Sequence, residues 1–265
     1  MNRIDLKFND LKEKNEKALI TFITAGDPDK DATVDLVLAM ERAGADIIEL
    51  GIPYSDPMAD GIVIQESSQR ALKAGIKIKD IMGIVKDIRK QSNIPILYLV
   101  YYNCIFKYGI ENFIKECNEC GIDGLIIPDL PLEEKGEIAQ IAYENNVHII
   151  PMVAPTSEER VKNVLKVGGG FVYCVSINGV TGARDNISTN LENYMKLVGQ
   201  YSKIPRAIGF GVSNAKMAKE FAKYAEGVIV GSAIIKIIAE TENKEDAVYK
   251  VGNFVKELKN AISSV

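Results

Sequence analysis

Short runs of β-branched and other apolar residues alternate along the chain with longer stretches whose apolar positions recur every three or four residues. The short runs predict strands at Ala18–Thr24, Asp46–Leu50, Pro95–Val100, Gly124–Ile127, Val147–Val153, Phe171–Val175, Pro205–Ile208 and Gly227–Val230. Helical spacing predicts Ala32–Ala43, Ile78–Arg89, Glu111–Glu119, Glu133–Asn145, Ser157–Val167, Leu191–Val198, Asn214–Tyr224 and Lys244–Ile262. Strict alternation of the two types is the pattern of βα units around a parallel sheet. The strands lack polar alternation, as in Ala45-Asp-Ile-Ile-Glu-Leu50, so both faces of the sheet are expected to be covered. A faint repeat supports regularity: Ala43-Gly-Ala-Asp-Ile-Ile-Glu49, Cys120-Gly-Ile-Asp-Gly-Leu-Ile126 and Tyr224-Ala-Glu-Gly-Val-Ile-Val230 each leave a helix for a strand.

Eight such units within 265 residues favour a closed (β/α)8 TIM barrel over an open doubly wound sheet. Met1–Lys14, with Ile4, Leu6, Phe8 and Leu11, reads as an extra amphipathic N-terminal helix. The runs Ile64–Leu72 and Ala233–Ala239 add short helices after strands two and eight. No Pro/Gly/Ser-rich linker divides the chain, so residues 1–265 are expected to form a single domain.

Composition narrows the class further. With 47% hydrophobic and 26% charged residues, the chain is neither disordered nor fibrous. A formal charge of −4 offers no general attraction to nucleic acid or anionic lipid. The longest apolar run, Ile94–Tyr102, is too short to span a bilayer, and the N-terminus is not a signal peptide. Four scattered cysteines suit a reducing compartment, and a cytoplasmic location is expected. Cys117 and Cys120 form a C-x-x-C inside a helical pattern without a second pair, which reads as ordinary helix rather than a metal site.

In a barrel of this kind chemistry sits at the C-terminal ends of the strands. Glu49 ends the second strand on the same face as Ile47; if Ile47 fills the interior, Glu49 points into the mouth. A carboxyl there is desolvated and suited to exchanging protons near neutral pH, whereas a structural ion pair is the plainer alternative. Asp60 closes the loop that follows, just before the run Ile64–Leu72. It reads equally as a helix N-cap or as a second carboxylate facing the same pocket, and spacing leaves both open. Gly179-Val-Thr-Gly182, Gly209-Phe-Gly211 and Gly231-Ser232 follow the last three strands. Glycine loops there, with a helix starting at Ser232, predict a site for a substrate phosphate. The stretch Asn178–Asn190 reads as a lid. His148, the only histidine, starts the fifth strand at the opposite end and is expected to be structural. The strand ends supply neither a cluster of metal ligands nor a Schiff-base lysine.

The segment Glu49-Leu-Gly-Ile-Pro-Tyr-Ser-Asp-Pro-Met-Ala-Asp60-Gly resembles the signature of the tryptophan synthase alpha chain family. Thr24-Ala-Gly-Asp-Pro28 and the three glycine segments resemble that family's other motifs, in the same order. The resemblance implies a (β/α)8 barrel lyase that cleaves indole-3-glycerol phosphate to indole and glyceraldehyde 3-phosphate, without metal or organic cofactor of its own. It implies that Glu49 moves protons at the indole ring carbon and the glycerol hydroxyl, that Asp60 holds the indole N–H, and that Tyr173 lies near the reacting centre. Gly182, Gly211, Gly231 and Ser232 fall on phosphate-binding positions, Phe22, Leu99 and Phe210 beside the indole, and Thr181 on the lid. The implied partner is a beta chain carrying pyridoxal phosphate, in an alpha2-beta2 assembly, with Asp56, Tyr101 and Asn103 on the contact surface.

Two positions depart from the family pattern: Ile62 stands where many relatives have Pro, and Ile177 where many have Arg. Rival expectations are a phosphosugar isomerase or epimerase, a non-catalytic regulatory barrel, and a lyase that works unpaired.

Overall fold

The computed structural model describes residues 1–166, 168–175, 184–209 and 211–265, with the backbone alone at 137 and 184–190. Its strands are β1 (Ala18–Thr24), β2 (Ile47–Gly51), β3 (Ile96–Leu99), β4 (Gly124–Ile126), β5 (His148–Ile149), β6 (Met152–Val153), β7 (Val172–Val175), β8 (Arg206–Gly209) and β9 (Gly227–Val230). All the pairings are parallel, in the order β5-β4-β3-β2-β1-β9-β8-β7-β6.

The predicted fifth strand is thus two short ones, and Pro151 is the reason. Proline has no N–H to place in a ladder. Before it, the Ile150 N–H donates to the Leu125 carbonyl at 2.9 Å; after it, the Pro151 carbonyl accepts the Tyr173 N–H at 2.9 Å. β5 and β6 together make one stave, joined to β4 on one side and β7 on the other. The sheet therefore closes as an eight-staved (β/α)8 TIM barrel.

Helices α1 (Arg3–Glu13), α2 (Lys30–Arg42), α3 (Ile62–Lys73), α4 (Ile78–Arg89), α5 (Tyr102–Tyr108), α6 (Ile110–Cys120), α7 (Lys135–Glu144), α8 (Glu158–Val164), α9 (Arg184–Tyr201), α10 (Ala215–Ala222), α11 (Ser232–Ala239) and α12 (Lys244–Ile262) accompany the staves. Five of them are capped by side chains: Asn2, Asp29, Ser157, Asn214 and Asn243 each accept a first-turn N–H. α9 begins at Arg184, so the second half of the stretch expected as a lid is helix. α5 was not expected. Its aromatic start continues the apolar run of β3, and the Asp129 carboxylate, from the loop after β4, accepts the Tyr102 N–H at 2.8 Å.

Side chains alternate across each stave. Leu19, Ile23, Ile48, Leu50, Tyr98, Val172 and Val228 face the helices, while Ile20, Ile47, Leu97, Ile126, Ile150, Phe171 and Ile229 fill the barrel. Helix α1 plugs the N-terminal end, placing Ile4, Phe8 and Leu11 in that inner cluster. Each such burial contributes about 1.5–3 kcal/mol. His148 belongs to this end, its Nε2 3.0 Å from the Asp5 carboxylate of α1, as its sequence position implied. Cys117 and Cys120 are buried on α6, and burial pushes both thiols up, away from reactivity. Among the described residues no helix is long and apolar enough to cross a membrane.

One buried polar group fixes the edge of the functional end. Asp27, fully buried in the loop after β1, accepts from Ser67 Oγ at 2.5 Å and from Arg70 Nε and Nη2 at 2.8 and 2.7 Å. These three bonds tie α3 to the β1 loop. Asp27→Ala is expected to cost roughly 2–4 kcal/mol, below the full cost of a stranded buried charge because Arg70 keeps solvent access. Urea unfolding monitored by circular dichroism checks this.

Candidate active site

The functional end of the barrel encloses a cavity of about 590 Å3. Glu49 reaches it from β2. Because Ile47 belongs to the inner cluster, the two-residue period turns Glu49 inward one layer higher, beside Phe22 of β1 in register. Glu49 is 1% exposed, and among the described residues its Oε1 has no hydrogen-bond partner. Burial alone pushes its carboxyl up to about 8. Among the described residues no cation pairs with Glu49 to favour the anion, so the group is protonated at neutral pH and poised to give its proton away.

Asp60 lines the same cavity from the loop between β2 and α3. It is not the cap of that helix. Gly61 holds the N-cap position, and no side chain caps α3. The carboxylate is therefore left for the cavity. Burial raises its pKa, and the nearby Tyr101 hydroxyl opposes the rise. The two carboxyl groups that the sequence placed on neighbouring segments thus share one compartment with Phe22, Leu99 and Tyr173. Burial, with Glu49 and Asp60 nearby, pushes the Tyr173 phenol well up and keeps it protonated.

Tyr173 lies across β8. A Cβ added at Gly209 would stand 2.5 Å from the tyrosine hydroxyl and 2.7 Å from its ring. Only glycine leaves room for that ring. Gly209→Ala is expected to push Tyr173 into the cavity and lower turnover on the order of 10²-fold, since misplacement by about 1 Å has such a cost. Rates of indole release, with unchanged far-ultraviolet circular dichroism, check it.

The opposite wall is backbone. Gly211, Gly231 and Ser232 all line the cavity. Gly211 has φ +80°, a conformation that side chains resist. α11 starts at Ser232, and no side chain caps its first turn among the described residues. Thr181, Gly182, Ile177 and Phe210 lie outside the described residues. Among the described residues no group of three His, Cys, Asp or Glu is arranged to hold a metal ion.

The proposed contact residues separate. Asp56 is exposed, its carboxylate accepting from Ser55 Oγ, while Met58 and Ile62 beside it are 96% and 72% exposed. Tyr101 is instead buried, and Asn103 is half-buried with its amide donating to the Tyr54 hydroxyl at 3.2 Å. Sequence reading missed Pro128, Met152 and Ile229, which also line the cavity. Alternation from Ile150 and Gly231 would have found the last two. Pro128 had no comparable signal.

A carboxyl pair, an apolar slot and the uncapped start of a helix thus line one barrel mouth. The family model for the tryptophan synthase alpha chain covers residues 8–263. The chain belongs to the tryptophan synthase alpha chain family. It is 58% identical over 262 residues to the tryptophan synthase alpha chain of Caldanaerobacter subterraneus, covering 99% of this chain and 100% of that one. With that of Thermoanaerobacter pseudethanolicus the identity is 60% over the same length and coverage. Among solved structures, tryptophan synthase subunit alpha from Legionella pneumophila has a TM-score of 0.93 at 36% identity, covering 100% of both chains. A chain of the tryptophan synthase a2b2 complex from Pyrococcus furiosus has a TM-score of 0.84 at 40% identity, covering 92% of this chain and 98% of that one. As a tryptophan synthase alpha chain family member, this protein is a carbon–carbon lyase of tryptophan biosynthesis, cleaving indole-3-glycerol phosphate to indole and glyceraldehyde 3-phosphate.

Proposed function

We propose that Glu49 and Asp60 divide the retro-aldol cleavage between them. Glu49 gives its proton to the indole ring carbon that bears the glycerol chain, making the ring an electron sink. Asp60, ionised, accepts the indole N–H and offsets the positive charge. Glu49, now a carboxylate, takes the proton of the glycerol hydroxyl; the carbon–carbon electrons return to the ring, and indole and the aldehyde separate. Tyr173 stands beside the reacting carbons as a protonated phenol. Gly211, Gly231 and Ser232, with Gly182, hold the phosphate; Phe22, Leu99 and Phe210 hold the indole; Thr181 belongs to the lid. The observation that carries this reading is that both carboxyl groups and the uncapped start of α11 line one cavity.

Residues 1–265 act in this reading as one domain, since all eight staves and their helices share a continuous outer core. The chemistry asks for no metal or organic cofactor in this chain, and pyridoxal phosphate belongs to the beta chain. The protein works in the cytoplasm, paired with that beta chain in an alpha2-beta2 assembly. The exposed Asp56, Met58 and Ile62 face the partner, with Asn103 behind them. Purified chain given indole-3-glycerol phosphate with and without a beta chain tests the whole: indole is expected in both cases and faster in the second. No indole in either case overturns the reading.

A further inference from the structure

Tyr101 sits at the turn between β3 and α5, yet it is only 3% exposed. Its hydroxyl accepts the Ala59 N–H at 3.0 Å, one residue before Asp60. An oxygen that accepts there keeps its own proton, and the hydroxyl opposes the rise that burial gives the Asp60 pKa. Its ring stacks on Tyr54, centroids 4.9 Å apart, and Tyr54 is held in turn by Asn103 at 3.2 Å. The turn itself is pinned by the bond from the Tyr102 N–H to Asp129. The loop 54–60 is thus clamped near both its ends onto the β3–α5 turn. On the other side the Gln65 amide donates to the Asp60 carbonyl at 2.8 Å.

We propose that Tyr101 is a positioning residue for the cleavage reaction: by accepting the Ala59 N–H, its hydroxyl fixes the segment that carries Asp60 and transmits the placement of the β3–α5 turn to that carboxylate, where the positive indole will form. This rests on the role given to Asp60 above. The need is electrostatic. Asp60 must remain an anion in an apolar cavity, where burial favours its neutral form, and a phenol donor offsets that preference. Tyr101 stays a donor throughout, because burial and the nearby Asp60 and Asp129 charges hold its own proton on. The other groups facing Asp60 across the cavity are Glu49 and Tyr173, with Lys236 and Glu240, 3.7 Å apart, farther out on α11. Glu49 and Tyr173 both stay neutral while Asp60 titrates, so neither adds a change of charge to the acidic limb.

Tyr101→Phe keeps the ring and its stack and removes one oxygen. In the full chain with indole-3-glycerol phosphate, kcat is expected to fall on the order of 10–100-fold with KM little changed. The acidic limb of the kcat/KM profile is expected to move up by about one pH unit. Tyr54→Ala, which removes the supporting ring but spares the hydroxyl, is expected to give a smaller shift in the same direction. Adding Tyr101→Phe to Asp60→Asn is expected to cost nothing more, because the group it positions is already gone. An unmoved acidic limb in both variants, or losses that add in the double variant, overturns the positioning role. Full activity in Asp60→Asn alone would instead overturn the role of Asp60 itself, so the two failures are distinct.

Discussion

Glu49→Gln is expected to abolish indole release, a loss on the order of 10³-fold or more, because one carboxyl serves as acid and then as base. The same substitution should stabilise the protein at neutral pH. In the folded chain the carboxyl is held at about 8, well above its ordinary value near 4.5. A group raised on folding contributes its full stability below the unfolded pKa and loses it as pH rises through the folded one. The wild type therefore loses stability from about pH 5 to pH 8, amounting to about 3 kcal/mol at pH 7, and the glutamine variant does not. Melting temperatures of the two proteins across that range should diverge with rising pH. Parallel curves would mean that Glu49 does not carry its proton into the folded state. Turnover by the wild type should fall above pH 8 for the same reason, as the acid is lost.

Asp60→Asn is expected to lower turnover on the order of 10²–10³-fold, the range for removing a preorganised electrostatic partner of the transition state. Asparagine keeps the shape but carries no charge, so the protonated indole has no anion beside it. The proposed phosphate wall comprises Gly211, Gly231 and the start of α11, on different segments from Asp60. Affinity for inorganic phosphate, measured by calorimetry, should therefore stay within about threefold of the wild type. A variant that loses phosphate binding along with turnover would place Asp60 in the anion site and not at the indole nitrogen. The pairing of a silent phosphate site with a large kinetic loss is thus the signature of a charge-stabilising role.

Much of this was legible in the order of residues. The βα alternation and the apolar content of the staves are local properties, and they determined the barrel. The two-residue period likewise determined that Glu49 shares a face with Ile47. What no local pattern contains is which distant groups meet. Whether Asp60 capped a helix or faced the cavity was decided by Gly61 taking the cap. The helix after β3 was hidden because Asp129, 27 residues further on, satisfies its first N–H. Val147–Val153 read as one strand, but Pro151 interrupts it and the ring of strands makes the two halves bond to different neighbours. Tyr101, read as surface, was turned inward by its stack on Tyr54 and its bond to Ala59. Periodicity and capping act over a few residues of chain, so sequence carries them alone; burial, hydrogen-bond satisfaction and the pKa of Glu49 depend on atoms brought together through space, and the tertiary structure decides them.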